Sequence, residues 1–224
     1  LHPVAHSFPT RRSSDLLRAE IFNEFRHLAS PEDWWCNMDS DEFYVDDPRE
    51  FLAGVPRRYH VVLKKSIDYR LTKEDVEEHQ FTGKFEEDRH ILTHVEPTCW
   101  AETRFFRHRE RLRWESTGPD ASDLPRRVGL HYPEPILVQH YQYRSPAQIQ
   151  RRLDVRNAVP RNKGGGPFKH IRQKSWQELI VDRSEVVLDE GRKTYDALPV
   201  RSRIRERLRK RIVKRVMHGL GIWP

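Results

Sequence analysis

The residues of this chain best suited to chemistry are three acids, Asp39, Asp41 and Glu42, which follow directly on an apolar run formed by Trp34, Trp35, Cys36 and Met38. A short buried strand made from such a run has no use for bare carboxylates unless solvent or a cation meets them where it ends. In α/β sheets ligands gather beyond the carboxyl ends of strands. A hard divalent cation, Mg2+ or Mn2+, takes oxygen ligands and keeps positions open for substrate phosphates. Asp39 and Asp41, two residues apart, can both reach one ion at such an end. A solvated turn after a strand is the other reading of the same triplet, in a chain that carries 34 acidic residues.

The elements that would position these acids can be read on either side of them. Leu17, Ile21, Phe22, Phe25 and Leu28 fall at helical spacing, and Ser30-Pro31 closes that helix before the Trp-rich strand, an α-to-β step of an alternating fold. Asp46, Asp47 and Pro48 start a short helix that turns Phe51 and Leu52 inward and stops at Gly54. Tyr59 to Leu63, His90 to Val95 and Trp100 to Arg107 are strand candidates, and the charged stretch from Tyr69 to Asp88 reads as loop or surface helix. The run from Ile136 through Val138 leads to His140-Tyr141 and on to Ser145. Ser145 caps the helix after it, Pro146 sits at its first position, and Ile149 and Leu153 form its apolar side. The Asn162 to Pro167 glycines lack P-loop spacing and read as a connector.

With 224 residues, 36% hydrophobic and 33% charged, the chain suits one domain with a modest core. Its net charge of +7 favours anionic partners without choosing among nucleotide-sugar phosphates, anionic lipid and nucleic acid. Two cysteines, Cys36 and Cys99, without CxxC spacing fit a reducing, cytoplasmic compartment and argue against a disulfide framework. No apolar run reaches the roughly 18 residues that span a bilayer. From residues 201 to 220, Leu208, Ile212, Val216 and Leu220 share one helical side among many arginines. Such a helix fits the inner face of an anionic membrane, or packing on the domain with its arginines in water.

The segment Trp34 to Phe43, with its Asp39-Ser40-Asp41-Glu42-Phe43, resembles the metal-binding segment of glycosyltransferase family 2-like enzymes of the GT-A fold. The segment His140-Tyr141-Gln142-Tyr143-Arg144-Ser145 is similar to a late motif of the same family. Arg104 to Arg107 is similar to its Arg-x-Phe-Arg strand. The resemblance covers roughly residues 17 to 157. It implies an α/β fold, a partial GT-A mixed sheet flanked by helices and missing its first strands, to which the residue pattern itself adds a basic amphipathic C-terminal helix over 199–224. Residues 17–198 would form the transferase domain. His6 to Leu16 resembles the translation of a sequencing-library adapter, so residues 1–16 are expected to be an artefactual or disordered tail, and the chain a carboxy-terminal fragment.

The resemblance further implies a sugar moved from a nucleotide-sugar donor to a glycan, lipid or other hydroxyl acceptor. Mn2+ or Mg2+ would bind Asp41 directly, with Asp39 facing the ribose or sharing the ion through water, and His140 completing the site. Glu42, Tyr141, Arg144 and Ser145 would lie along the donor, Arg144 on phosphate oxygens. Glu102 would be the general base, with Glu115 as runner-up. Two rival readings remain open. One is a basic nucleic-acid-binding protein or metal-dependent nuclease using Asp39, Asp41 and the Lys64–Lys65 pair. The other is a non-catalytic module that docks through its basic tail.

Overall fold

The chain is built around one long strand, β3 (Val61–Arg70), with neighbours on both sides. The structure, a computed structural model, describes residues 11–115, 124–158, 173–202, 204 and 206–224, with side chains from residue 17 onward. On one side β3 pairs antiparallel with β5 (Trp100–Arg107), which carries β1 (Trp34–Cys36) at the sheet edge. On the other it pairs parallel with β6 (Ile136–His140), which carries β2 (Glu42–Tyr44). The last two residues of β3 also pair with β4 (His94–Val95), and β4 pairs with β7 (Val187–Leu188). The result is an α/β fold with a mixed, mostly antiparallel seven-stranded sheet flanked by helices.

Strand alternation sorts the apolar side chains into two faces. Val61, Leu63 and Phe106 pack with Ala19 and Phe22 of α1 (Arg11–Phe25), and farther along the same face Ile67, Tyr69 and Leu137 pack with Ile149 and Leu153 of α5 (Pro146–Ala158). Val62, Phe105, Ile136 and Val138 point the other way and meet Phe51 and Leu52 of α2 (Pro48–Ala53). Local signals set the helix ends as expected. Asp47 accepts from the Arg49 amide at 2.7 Å, Pro48 opens α2, and Ser145 Oγ accepts from the Gln148 amide at 3.3 Å at the start of α5.

Several expectations are corrected. Helix α1 begins at Arg11 rather than at Leu17. The Trp-rich strand is not a buried one: β1 is an edge strand whose tryptophans are half-buried and whose Cys36 and Met38 are exposed. Strand β3 continues seven residues past Leu63, because Lys64 and Lys65 find buried partners that let the pairing run on. The charged stretch after it holds two short helices, α3 (Lys73–Glu78) and α4 (Phe85–Asp88), and the strand expected at His90 to Val95 shrinks to β4 after a 3-10 turn. An unforeseen helix, α6 (Arg192–Ala197), precedes α7 (Leu208–Gly219), which is shorter than the helix expected over 199–224. The Asn162 to Pro167 connector lies outside the described residues.

Leu153 is fully buried between α5 and the sheet, whereas Val155 on the same helix is exposed. Leu153→Ala is expected to lower unfolding free energy by about 2–5 kcal/mol and Val155→Ala by less than about 1 kcal/mol in urea denaturation.

Candidate functional site at the ends of the parallel strands

The acids sit in a loop whose two ends are held by one buried guanidinium. Between Val62 and Leu63 the β3–β5 register slips, leaving Arg104 as the extra residue of a β-bulge. Its Nη1 donates to the carbonyl of Asn37, at the start of the acid loop, and its Nη2 lies 2.5 Å from Glu42 Oε2, at the loop's end. The Arg104 carbonyl in turn accepts from the Asn37 amide at 3.0 Å. Glu42 also takes the ammonium of Lys64, which reaches Glu102 Oε1 at 2.8 Å. Glu42, Lys64 and Arg104 are all buried, so the fold encloses one carboxylate between two cations.

Past this clasp the β2–β6 pairing continues back along the loop, with the Tyr141 amide donating to the Asp41 carbonyl at 2.9 Å. Glu42, His140 and Asp68 are cross-strand partners in one row, the last of the β3–β6 parallel pairing: His140 ends β6, and β3 runs on two residues to Arg70. His140 Nδ1 lies 2.7 Å from Asp68 Oδ1, which also accepts from Ser66 Oγ at 2.7 Å. The other ring nitrogen, Nε2, faces Asp41 Oδ1 across 3.8 Å, a gap too long for a hydrogen bond. Arg152 of α5 adds a guanidinium 3.4 Å from Asp41 Oδ2 and donates to the Gln142 carbonyl at 3.0 Å.

The charges follow from this placement. Burial works against ionising Asp41, yet His140 and Arg152 outweigh it and hold the carboxyl at about 2. Burial alone would lower His140, but the carboxylates of Asp41 and Asp68 push it up to about 9, so the ring carries a proton at neutral pH. Burial also opposes the charge on Asp68, and the contacts from His140 and Ser66 still bring it below the ordinary carboxylate range.

Beside this group lies a cavity of about 260 Å3 lined by Asp68, Arg70, Glu96, Thr98, Trp100 and Gln142 among others. The indole of Trp100 is 53% exposed. The cavity thus sets a flat aromatic face beside hydrogen-bonding side chains.

The other sequence candidates are dispersed. Asp39 is half exposed, and its carboxylate meets Arg18 of α1 at 3.5 Å rather than turning toward His140. Tyr141 does not share the side of His140. It follows the last residue of β6 and points to the opposite face, where it stacks on Tyr69 at 4.3 Å in the core. Arg144 lies over the ring of Phe85 and, with Ser145 and Arg151, lines a separate cavity that shares no residue with the first. Ser145 serves as the cap of α5. Glu102 is half exposed with Oε1 already on Lys64, and Glu115 is exposed after Trp114 on the α1 side of the sheet. Lys64 and Lys65 are buried, the second donating to the Tyr195 carbonyl at 2.5 Å, so neither is open to a phosphate backbone.

Sequence reasoning missed Asp68 and the roles of Arg104 and Arg152. Asp68 carried a legible signal: Lys64, Ser66 and Asp68 alternate with Ile67 and Tyr69 in a period of two. Arg104 was singled out only as part of the Arg104–Arg107 segment, and neither its role nor that of Arg152 was legible, because a bulge and a helix-to-loop contact leave no mark on spacing. Among the described residues no three His, Cys, Asp or Glu side chains stand together as a complete metal site. No family model matches the chain, and neither a curated protein nor a solved structure matches it.

Removing the Glu42 carboxylate strands two buried cations. Glu42→Ala is expected to cost about 3–5 kcal/mol in chemical denaturation. Because His140 is raised from 6.5 to about 9, its contribution is complete below pH 6.5 and is lost as pH climbs through 9. The stability of the wild type over His140→Gln should therefore shrink, by on the order of 3 kcal/mol, between buffers below 6.5 and above 9.

Proposed function

We propose that this chain is part of a metal-dependent glycosyltransferase of the GT-A type, which moves a sugar from a nucleotide-sugar donor to a hydroxyl acceptor. The observation that carries the reading is the convergence of Asp41 and His140 where the parallel pairing of β3 and β6 ends, with Asp68 gripping the far nitrogen of the imidazole. That is the arrangement by which a carboxylate orients a histidine ligand and fixes which nitrogen it offers. It is also the end of a parallel pair where α/β folds bind ligands.

One carboxylate oxygen and one imidazole nitrogen facing each other fit a divalent ion that keeps its remaining positions for water and phosphate oxygens. The mixed donor set suits Mn2+ better than Mg2+. When bound, such an ion neutralises the charge that gathers on a departing nucleoside diphosphate. Asp41 and His140 would hold it, which requires His140 to give up its proton. Asp68 keeps His140 Nε2 turned toward Asp41, and Arg152 sets a permanent positive charge within reach of a phosphate oxygen. The adjoining cavity supplies a place for a sugar ring, and the carboxylates that line it are Asp68 and Glu96. Glu96 pairs with Arg70 at 3.3 Å, but it lines this cavity, which Glu102 and Glu115 do not, and it is the candidate to accept a proton from a hydroxyl held there.

The rival nuclease reading is less favoured, because Lys64 is committed to Glu42 and Glu102 and Lys65 to the Tyr195 carbonyl. A direct test measures uridine diphosphate binding by isothermal titration calorimetry with and without Mn2+. Mn2+ should tighten binding by about tenfold or more. Asp41→Asn and His140→Ala should each abolish that gain, and Asp39→Asn should leave most of it. Binding that ignores Mn2+, or an Asp41→Asn variant that keeps the full gain, would refute the metal role.

A further inference from the structure

Helix α7 is docked the opposite way round from a core helix. Leu208, Ile212, Val213, Val216 and Leu220 share its outer side, each at least half exposed, and no residue of the helix is buried. The contacts that hold it to the body come from its polar side. Lys214 Nζ donates to the Gly129 carbonyl at 2.6 Å and pairs with Glu206 at 2.5 Å. The guanidinium of Arg109 lies 2.8 Å from His218 Nδ1, and Arg111 donates to the Gly221 carbonyl at 2.7 Å. The platform under Lys214 is itself closely fitted: Gly129 has φ +108, and a side chain there would run into the ring of His60. The reading in which the apolar side packs on the domain is thereby excluded for this arrangement.

Arg209, Lys210, Arg211 and Arg215 are exposed around that apolar side, and the helix holds no acid. We propose that α7 seats the protein on an anionic lipid bilayer, with its apolar side entering the headgroup boundary and its arginines on lipid phosphates. Charge complementarity decides the occupant. A second copy of this chain would bring the same acid-free, basic helix against this one, and like charges disfavour that pairing. A nucleic acid would satisfy the arginines and leave the apolar stripe in water. No helix among the described residues is long and apolar enough to cross a membrane, so contact through α7 would be peripheral.

The test is co-sedimentation of the full chain with vesicles of phosphatidylcholine alone and of phosphatidylcholine mixed with phosphatidylglycerol, at low and high salt. Ile212 and Val216 are exposed, so a double variant Ile212→Glu, Val216→Glu should keep the fold, checked by circular dichroism. The expected result is binding to the anionic vesicles only, weakened by salt. It should fall about tenfold or more in that variant and in Arg209→Gln, Arg215→Gln. Equal binding to both vesicle types, no binding to either, or binding unchanged in the Glu variant would overturn the proposal. So would size-exclusion chromatography showing a dimer that the Glu variant splits, since the apolar side would then belong to a second copy. The outcome does not depend on the metal site, which lies on other elements.

Discussion

The Glu42 carboxylate is closed in between the Lys64 ammonium and the Arg104 guanidinium, and the acid-bearing loop goes where that grouping sends it. Each partner comes from a different strand: Glu42 from β2, Lys64 from the centre of β3, Arg104 from the bulge of β5. Coulomb attraction among buried ions is largely offset by their lost hydration, so a grouping of this kind adds little net stability. Its directional contacts do something else. Arg104 touches both the first and the last residue of the stretch from Asn37 to Glu42, which fixes the span and exit of a loop that has no regular structure of its own. Without the bulge, Arg104 would fall into alternation with its neighbours, and one guanidinium could not reach both ends.

The second constraint is the register of the parallel pair. Asp68 opposite His140 is what turns a strand-end histidine into an oriented one, and the antiparallel partner β2 then delivers Asp41 one residue beyond Glu42. A slip of one residue between β3 and β6 would oppose His140 to Ile67 or Tyr69 and leave its ring without the carboxylate. The protonated ring between Asp41 and Asp68 makes the grouping nearly balanced in charge without any ion. Were a divalent ion to bind there as proposed, the imidazole would first have to lose its proton.

Much of the fold was legible in the sequence because it rests on local chemistry. Strand β5 was read at its bounds and α5 at its start, since alternation, a serine cap and a proline at the first helical turn are short-range signals. The length of β3 was not legible. Lys64 and Lys65 look like the end of an apolar strand, and only the burial of their charges on Glu42 and on the Tyr195 carbonyl makes them part of its middle. For the site, Asp41 and His140 were identified and Asp68 and Arg152 were not. Spacing also misled at Asp39: two acids separated by one residue share a side in an extended strand, but here they stand in a loop, and Asp39 turns to Arg18 instead. Tyr141 failed for the converse reason, because next to His140 at a strand end it had to point the other way.

The exposure of α7 follows from how the sheet is already covered. One face of the strands is occupied by α1 and α5, and α2 with the aromatic residues around it takes the other. By the time the chain reaches Leu208 no comparable apolar surface of the sheet is left to receive another stripe, and the helix attaches where it can, through Lys214 and His218 to carbonyls and charges of the 109–129 region. Helix α1 shows a milder form of the same shortage: Ala19 and Phe22 are buried while Leu17, Ile21 and Phe25 stay largely in water. An isolated exposed leucine needs no explanation, but five exposed apolar residues on one acid-free helix side are a cluster of the kind that the proposed bilayer contact would cover. A chain that is one-third charged could have placed polar residues there without harm to its core, so the stripe is better understood through an external partner than through folding.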